Sequence, residues 1–456
     1  MGRSVLADEC IQQYIEQLIK TGQWYTGLVI GQQTAAGKDY IVRLVRTPDP
    51  VEDEASEEED GEEVEPRRQR SESGRPGSLE LADEKWAATH TKQVIRMLPG
   101  GLDIIGIFAL APPDMMSNAQ TRLRQILFAV HKNLSKNLLA TRDDEVTDRL
   151  VLQICSVTRK VTCRTFDVAD NKSSARPAEW RYQSHLDRWT RLSTRLAINI
   201  SIPITEKIKT HVMLKQIQLG ISSFCTSLSK ARMLIDNVVR DPSETLEQSE
   251  TRKGKGKDRS SSAPQNLNVV VLVPLSTDDS GEPSVSKLKS LIAIKGQVVG
   301  RAFVNFRATV ADATEALKTD IVRSLTSRCE LLCEDIDVIE ADSSKELYNT
   351  PVRVFAHLPA STLHFSDYMF QDEKTSEVVD RFKELLDIDV EEKDIEFHCE
   401  RPGAESDWLE QTSSEDTLLT VGGITEKNTF KYYVGAVVAG LVAMVTALLY
   451  VYVSAS

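Results

Sequence analysis

The feature that most constrains this chain is the stretch Tyr432–Val453, which contains no charged residue. A helix of these 22 residues rises about 33 Å, and the hydrocarbon core of a bilayer is about 30 Å thick. Tyrosine rings favour the headgroup level, and tyrosines stand at both ends of the stretch: Tyr432, Tyr433, Tyr450 and Tyr452. A helix buried in a protein core rarely runs so long without a polar face, so a single transmembrane helix is predicted.

The residues on either side of the span predict its orientation. Lys427 and Lys431 precede it, and only three uncharged residues follow it. Lysines on that flank place the preceding body in the cytosol. The N-terminal region carries Asp8 and Glu9 where a signal peptide would be apolar. We therefore predict a tail anchor inserted after synthesis, and the lack of a basic cluster behind it favours the endoplasmic reticulum over the mitochondrial outer membrane.

Composition excludes some classes of function. The net charge of −13 and the pI of about 5.2 argue against nucleic-acid binding, which requires a basic face. The seven cysteines are scattered and odd in number. This usage is typical of reduced thiols in the cytosol and not of a disulfide framework.

The order of apolar patterns predicts an α/β (α+β) fold made of two mixed domains. Asp83 is a suitable N-cap for a helix that runs to Met97, and Pro99, Gly100 and Gly101 end that helix. Other predicted elements are a helix over Ile11–Lys20, strands over Tyr25–Gly31, Tyr40–Val45, Leu102–Leu110 and Leu196–Ile204, a hairpin of Leu150–Val157 with Val161–Val168, and helices over Asp312–Cys333 and Glu377–Leu386.

Changes in composition predict the domain boundaries. The predicted segments are a first domain over 1–240, a linker over 241–266, a second domain over 267–400, a polar tether over 401–431 and the anchor over 432–453. Within the first domain, residues 49–79 form an acidic insertion that is predicted to be disordered, because it can bury little apolar surface. Its role as a regulatory docking segment or a solvated loop is left open.

A long helix is predicted from Glu206 to Val239. Its apolar residues step alternately by four and three, as in a heptad seam: Ile217, Ile221, Phe224, Leu228, Ala231, Ile235 and Val238. Few complementary charges flank the seam, so packing onto a domain core is favoured. A coiled coil, and with it a membrane-tethering function, is the alternative.

Motifs that carry chemistry are largely missing from the sequence. There is no P-loop, no Gly-x-Ser-x-Gly and no dinucleotide fingerprint. Cys329 and Cys333 are one helical turn apart without a second pair, so core packing explains them better than zinc. His357 and His364 flank a predicted turn, and solvent exposure explains them. No catalytic residue, metal ligand or cofactor is therefore predicted, although a Cys–His pair assembled only by the fold stays an open alternative.

The segment Gly106–Pro112 resembles a strand end of the JAMM/MPN metalloproteases. In that family two histidines and an aspartate hold zinc, and a serine precedes the aspartate. The matching positions here are Ala109, Ala111, Ala119 and Arg122. Methyl groups cannot ligate zinc and a guanidinium repels it. The resemblance thus implies an inactive MPN-like first domain used for binding.

A second resemblance covers nearly the whole chain and lies in short motifs that follow one another in order. They are Met1–Arg3, Gly27–Gln32, Lys38–Tyr40, Arg96–Leu102, Lys172–Trp180, Tyr182–Ser184 and Pro351–Phe355. With the terminal anchor, they resemble the odorant-response-abnormal-4 family. The resemblance implies delivery of odorant-type G-protein-coupled receptors from the endoplasmic reticulum to cilia. It also implies partnership with the cysteine protease that removes the ubiquitin-fold modifier UFM.

Together these features predict a non-catalytic, tail-anchored adaptor of the endoplasmic reticulum that holds the UFM-specific protease and assists receptor maturation. A diverged hydrolase or protease acting by itself is the alternative. The candidate partner loop combines a rigid Arg-Pro turn with an aromatic residue typical of binding hot spots; it comprises Ser173, Ser174, Arg176, Pro177, Trp180 and Tyr182. The competing interpretation is a loop that packs on its own sheet.

A testable prediction concerns a ladder of small residues in the anchor, Gly435, Ala439, Ala443 and Ala447. Small side chains let helix backbones approach closely in lipid, but alanine and glycine are also common in spans. Replacing Ala439 and Ala443 with Leu keeps the segment apolar, so carbonate extraction should still find the protein in membranes. If receptor delivery and anchor dimerisation also persist, the ladder makes no helix contact.

Overall fold

The computed structural model describes residues 2–50, 75–137, 146–184, 188–205, 213–246, 265–274, 288–338, 349–359 and 361–401. The predicted anchor over 432–453, the tether beyond Arg401 and residues 51–74 of the acidic insertion lie outside this part. Within the described ranges, no helix is both long and apolar enough to cross a bilayer.

Seven strands of the N-terminal part close into a barrel. They are β1 (Ser4–Ala7), β2 (Tyr25–Gln33), β3 (Lys38–Arg46), β4 (Asp103–Ala111), β5 (Asp148–Cys155), β6 (Val161–Asp167) and β7 (Arg176–Tyr182). The order around the barrel is β1-β3-β2-β4-β5-β6-β7, and β1 closes it by pairing in parallel with both β3 and β7. Closure leaves no strand edge free for further pairing. The predicted strands in this region are confirmed as β2 to β6.

Four helices accompany the barrel: α1 (Glu9–Lys20), α2 (Glu84–Met97), α3 (Pro113–Asn118) and α4 (Gln120–Asn137). The Asp83 side chain accepts from the Lys85 amide, which confirms the predicted cap. Helix α1 packs with one face of the barrel strands, and α2 and α4 share a core with the other face. Helix α4 has an apolar stripe, which is buried at Leu123, Leu127, Val130 and Leu134.

A four-stranded sheet follows, formed by β8 (Trp189–Thr205), β9 (Arg232–Ile235), β10 (Asn266–Leu272) and β11 (Leu288–Asn305), in the order β11-β8-β10-β9. Strands β8 and β11 pair in antiparallel fashion along their whole length. The two strands come from opposite sides of the predicted linker 241–266, and residues 1–402 form one compact unit. The predicted boundary therefore crosses a single sheet, which continuous pairing holds together.

The predicted helix over Glu206–Val239 is wrong in its second part. The helix is α5 (Met213–Ser229), and Ile235 belongs to β9 while Val238 follows a turn. The turn is made by Asp236 and Asn237, whose positive φ values of 49° and 66° are incompatible with a continued helix. The residues of the seam on α5 bury against β8 and α6, so core packing is confirmed for Ile217, Ile221 and Leu228.

The last described elements are α6 (Val310–Val338), β12 (Val352–His357), β13 (His364–Met369), α7 (Thr375–Leu386) and β14 (Ile395–Glu396). Strands β13, β12 and β14 form a separate three-stranded sheet in that order. The predicted helix over Asp312–Cys333 is confirmed as part of α6, whose apolar stripe is buried at Leu317, Ile321, Leu325 and Cys329.

The predicted insertion over 49–79 ends too late. Leu79 is fully buried, and Arg75 stacks its guanidinium 5.1 Å from the ring centre of Trp24. Arg75 also forms an ion pair with Asp49. These contacts hold Asp49 and Arg75–Leu79 in place at the two ends of the predicted insertion. Composition does not reveal them, because they depend on distant residues.

Asp320 on α6 is a fully buried carboxylate with four hydrogen bonds. It accepts from both terminal nitrogens of Arg353 at 2.8 and 3.0 Å, and from the amides of Gly100 at 2.9 Å and Arg301 at 2.8 Å. Arg353, itself only 1 % exposed, also donates through Nε to Ser366. A buried charge pair is stable only when its remaining hydrogen-bonding groups are satisfied, as they are here.

Glu400 repeats this arrangement at the end of the described chain. Its carboxylate accepts from both terminal nitrogens of Arg328, at 2.6 and 2.7 Å. It also accepts from the backbone amides of Val299 and Arg353. The carboxylates of Asp320 and Glu400 thus connect α6, β11 and β12. Glu400 itself is the residue just before the predicted tether.

Replacing Asp320 with Asn should lower the free energy of unfolding by about 3 kcal/mol or more, because the buried Arg353 charge is left without its counter-charge. Chemical denaturation followed by tryptophan fluorescence measures the change. Glu179→Gln removes an ion pair of which both side chains are more than half exposed, and it should leave the unfolding midpoint unchanged. Equal midpoints for the two variants would contradict the structural role of the buried network.

Candidate functional site

The positions that match zinc ligands in JAMM/MPN enzymes lie in the apolar core. Ala109 and Ala111 on β4 and Ala119 after α3 have no exposed surface. Arg122 on α4 donates through Nε to the Ala82 carbonyl and pairs with Glu84 at 3.3 Å. Buried methyl groups and an ion-paired guanidinium offer no electron pair to a metal, so these residues do not fit zinc.

The predicted partner loop is largely a strand. Only Ser173 and Ser174 precede it, and Arg176–Tyr182 is β7, held between β6 and β1. Pro177 suggests a turn because it lacks an amide donor, but the barrel accommodates it at a position opposite Arg164. The local signal for a turn is overruled by pairing with a strand more than 170 residues away in sequence.

Exposure varies along the length of β7. Ala178 and the half-buried Trp180 pack against the core that the barrel shares with α1. Tyr182 is 37 % exposed, and its ring lies 5.8 Å from that of Trp180 in a T-shaped contact. The Arg176 side chain is 56 % exposed. Trp180 thus supports the sheet, while Arg176 and Tyr182 are accessible to a partner.

A cluster that the sequence did not predict lies on the three-stranded sheet and comprises His357, His364 and Glu396; it is called the His–Glu cluster below. His357 and His364 are directly opposite each other on β12 and β13, with ring centres 3.8 Å apart. Glu396 Oε1 lies 3.4 Å from His357 Nε2 and 3.6 Å from His364 Nδ1. The assignment of both histidines to solvent is wrong for His364, which is 3 % exposed. Two histidines on either side of a predicted turn were the available signal, whereas nothing in the sequence pointed to Glu396.

Arg301 of β11 reaches the His–Glu cluster. Its Nη1 donates to His364 Nδ1 at 2.8 Å, and its Nη2 donates to Glu396 Oε2. Cys399 Sγ lies 3.1 Å from the same Oε2 atom. The guanidinium also stacks 3.9 Å from the ring centre of Phe355.

Burial and neighbouring charges decide the protonation states. Burial, with His357 and Arg301 nearby, lowers the pKa of His364 to about 3, so this ring is neutral at physiological pH. Burial alone would raise the pKa of Glu396, but hydrogen bonds from Arg301 and Cys399 lower it to about 2. Burial and Glu396 raise the pKa of Cys399 to about 11, which keeps the thiol protonated. A protonated thiol beside a carboxylate does not support nucleophilic catalysis by this cysteine.

A cavity of about 550 Å³ lies between the β2–β3 turn and the junction of β11 with α6. Its lining includes the cationic residues Lys38, Arg149, Arg307 and Arg323 and the acidic residues Asp103 and Asp312. The volume is in the range of ligand sites, but charges of both signs select no class of ligand.

Comparisons with known proteins find one family and its members similar to most of the chain. The model of a family described as "Odorant response abnormal 4-like" matches residues 27–397. The chain is 34 % identical to "Protein odr-4 homolog" of Homo sapiens over 407 residues, which covers 87 % of this chain and 86 % of the relative. The Gallus gallus relative of the same name is 35 % identical, with the same coverage. "Odorant response abnormal protein 4" of Caenorhabditis elegans is 21 % identical over 71 % of this chain and 67 % of the relative.

The packing of Trp180 predicts a stability defect. Trp180→Ala should lower the free energy of unfolding by about 2 kcal/mol, because the half-buried indole leaves a gap at the barrel core. Arg181→Ala, on the neighbouring exposed position, is the matched control and should unfold at the wild-type midpoint. A Trp180→Ala protein of full stability that has lost a binding partner would instead assign Trp180 to an interface.

Proposed function

Because the chain belongs to the odorant-response-abnormal-4-like family, we propose that it is a non-catalytic membrane adaptor that assists the maturation and trafficking of G-protein-coupled receptors. The observation that carries the proposal is the extent of the family match. It runs from β2 to the segment after β14, so it includes six of the seven barrel strands and both further sheets. A match to one module would support only the function of that module.

The adaptor acts at the endoplasmic reticulum membrane, with Tyr432–Val453 as a single-pass tail anchor and the body in the cytosol. The support is the charge-free length of this stretch, its tyrosines at both ends and the lysines before it. Glu400, the residue before the predicted tether, accepts hydrogen bonds from Arg328 and from the Arg353 backbone amide.

The first part of the chain serves binding and not hydrolysis, as an inactive MPN-like domain would. The support is the replacement of metal-binding groups by buried methyl groups at Ala109, Ala111 and Ala119, and by the guanidinium of Arg122. A barrel that has lost its ligands but kept its packed core retains a surface for partners.

The partner held at the membrane is the UFM-specific cysteine protease, and the cargo is an odorant-type receptor. The two exposed ends of β7 are the contact surface proposed for the protease, since Arg176 at one end and Tyr182 at the other supply a cation and an aromatic ring. Arginine and tyrosine are enriched at the energetic centres of protein interfaces.

Deletion of 432–453 from the full chain tests the adaptor function in cells. The truncated protein should leave the endoplasmic reticulum membrane and cease to support receptor delivery, while it still co-precipitates the protease. Grafting an unrelated tail anchor of equal length is the matched control and should restore both location and delivery.

Two results would contradict the proposal. One is a truncated protein that stays membrane-bound and supports delivery, which would remove the anchor from the mechanism. The other is cleavage of UFM conjugates by the purified full chain without the protease, which would show that the chain is an enzyme.

A further inference from the structure

We propose that the His–Glu cluster is a binding site for a divalent transition metal, and that zinc is the ion that its donor set suits best. The donor atoms of His357, His364 and Glu396 all lie within 4.8 Å of one another. Three separate strands, β12, β13 and β14, supply them. Rigid strands hold ligands more accurately than loops do. The site is independent of the adaptor function proposed above.

The two oxygens of Glu396 have different surroundings. Oε1 faces both imidazoles, at 3.4 Å from His357 Nε2 and 3.6 Å from His364 Nδ1. Oε2 faces away from them, toward Arg301 Nη2 and the Cys399 thiol. An ion among Oε1 and the two nitrogens can therefore bind while Oε2 keeps the Cys399 thiol as a donor. Carboxylate ligands of metals are commonly held by such outer hydrogen bonds.

The donor set indicates the class of metal. Two imidazole nitrogens and one carboxylate oxygen form a combination that binds zinc, whereas calcium and magnesium prefer oxygen donors throughout. The His357 side chain is 51 % exposed, so solvent reaches the cluster from that side. A water molecule can then complete the tetrahedral coordination that zinc prefers.

Arg301 is the competitor for this position. Its Nη1 donates to His364 Nδ1 at 2.8 Å and to Glu396 Oε1 at 3.2 Å, which are two of the three metal donors. Because the guanidinium is planar and rigid, a metal must shift the whole group, including its contacts with Glu396 Oε2 and the Phe355 ring. Arg191, whose charge also acts on His364 and Arg301, adds to the repulsion. The competition has a specific consequence: removal of the Arg301 charge strengthens metal binding, and removal of a ligand weakens it.

Calorimetric titration of zinc chloride into the full chain, purified in mild detergent and stripped with a chelator, tests the site. We expect one equivalent of zinc to bind. His357→Asn and His364→Asn should each weaken binding at least about tenfold, through loss of one of three protein ligands. Arg301→Gln should strengthen it about tenfold, because a like charge near the ion is removed. His398→Asn, at an exposed position outside the cluster, is the control and should bind as the wild type does.

Thermal unfolding separates ligand loss from misfolding. At the same concentration, zinc should raise the melting temperature of His357→Asn by less than that of the wild type and of His398→Asn. The exposed position of His357 makes a folding defect avoidable. Absence of saturable zinc binding to the wild type would overturn the proposal. Binding that persists undiminished in both the His357 and His364 variants would overturn it equally.

Discussion

The buried pairing of Asp320 and Glu400 with Arg353 and Arg328 is the interaction on which the C-terminal half of the body depends. Transfer of these charges out of water is costly, and only complete hydrogen bonding offsets that cost. Each carboxylate receives two guanidinium donors and two backbone amides, so the network is complete only when β11, β12 and α6 are all in place. The network makes these elements form together, because any subset leaves a buried charge unpaired.

A second, uncharged link explains why the barrel and the four-stranded sheet belong to one unit. The Gln32 amide at the end of β2 donates to the carbonyls of Gly101 and Phe303, and its Oε1 accepts from the Asn305 backbone and side chain. Gly100 contributes to the same junction, since a Cβ there would lie 2.2 Å from the Ala316 carbonyl oxygen of α6. The two glycines that follow α2 thus allow a close approach of the chain to α6 and β11.

Arg301 connects the structural network with the His–Glu cluster. Its backbone amide donates to Asp320, and its side chain reaches His364 and Glu396. The position of its guanidinium is therefore set from the core, while one edge of the cluster stays open to solvent at His357. The geometry of the cluster thus depends on one arginine, which is itself fixed by the buried network.

Local patterns by themselves determined much of the secondary structure. The Asp83 cap, the Gly100–Gly101 stop and the stripes of α4 and α6 act over a few residues, so periodicity and capping chemistry reveal them. The family resemblance, too, was visible in short motifs. The apolar stretch Tyr432–Val453 likewise needs only its own composition to predict a membrane span.

Only the tertiary structure decided what depends on distant pairing. β1 is four residues long, and β7 contains a proline; each is a strand because the other lies beside it. Strands β8 and β11 likewise pair across the predicted domain boundary because each is held by a strand that is distant in sequence. Burial of His364 and the approach of Glu396 and Arg301 to it combine residues from three segments far apart in sequence. No local pattern records such an approach, because hydrogen bonding and burial are properties of the assembled core.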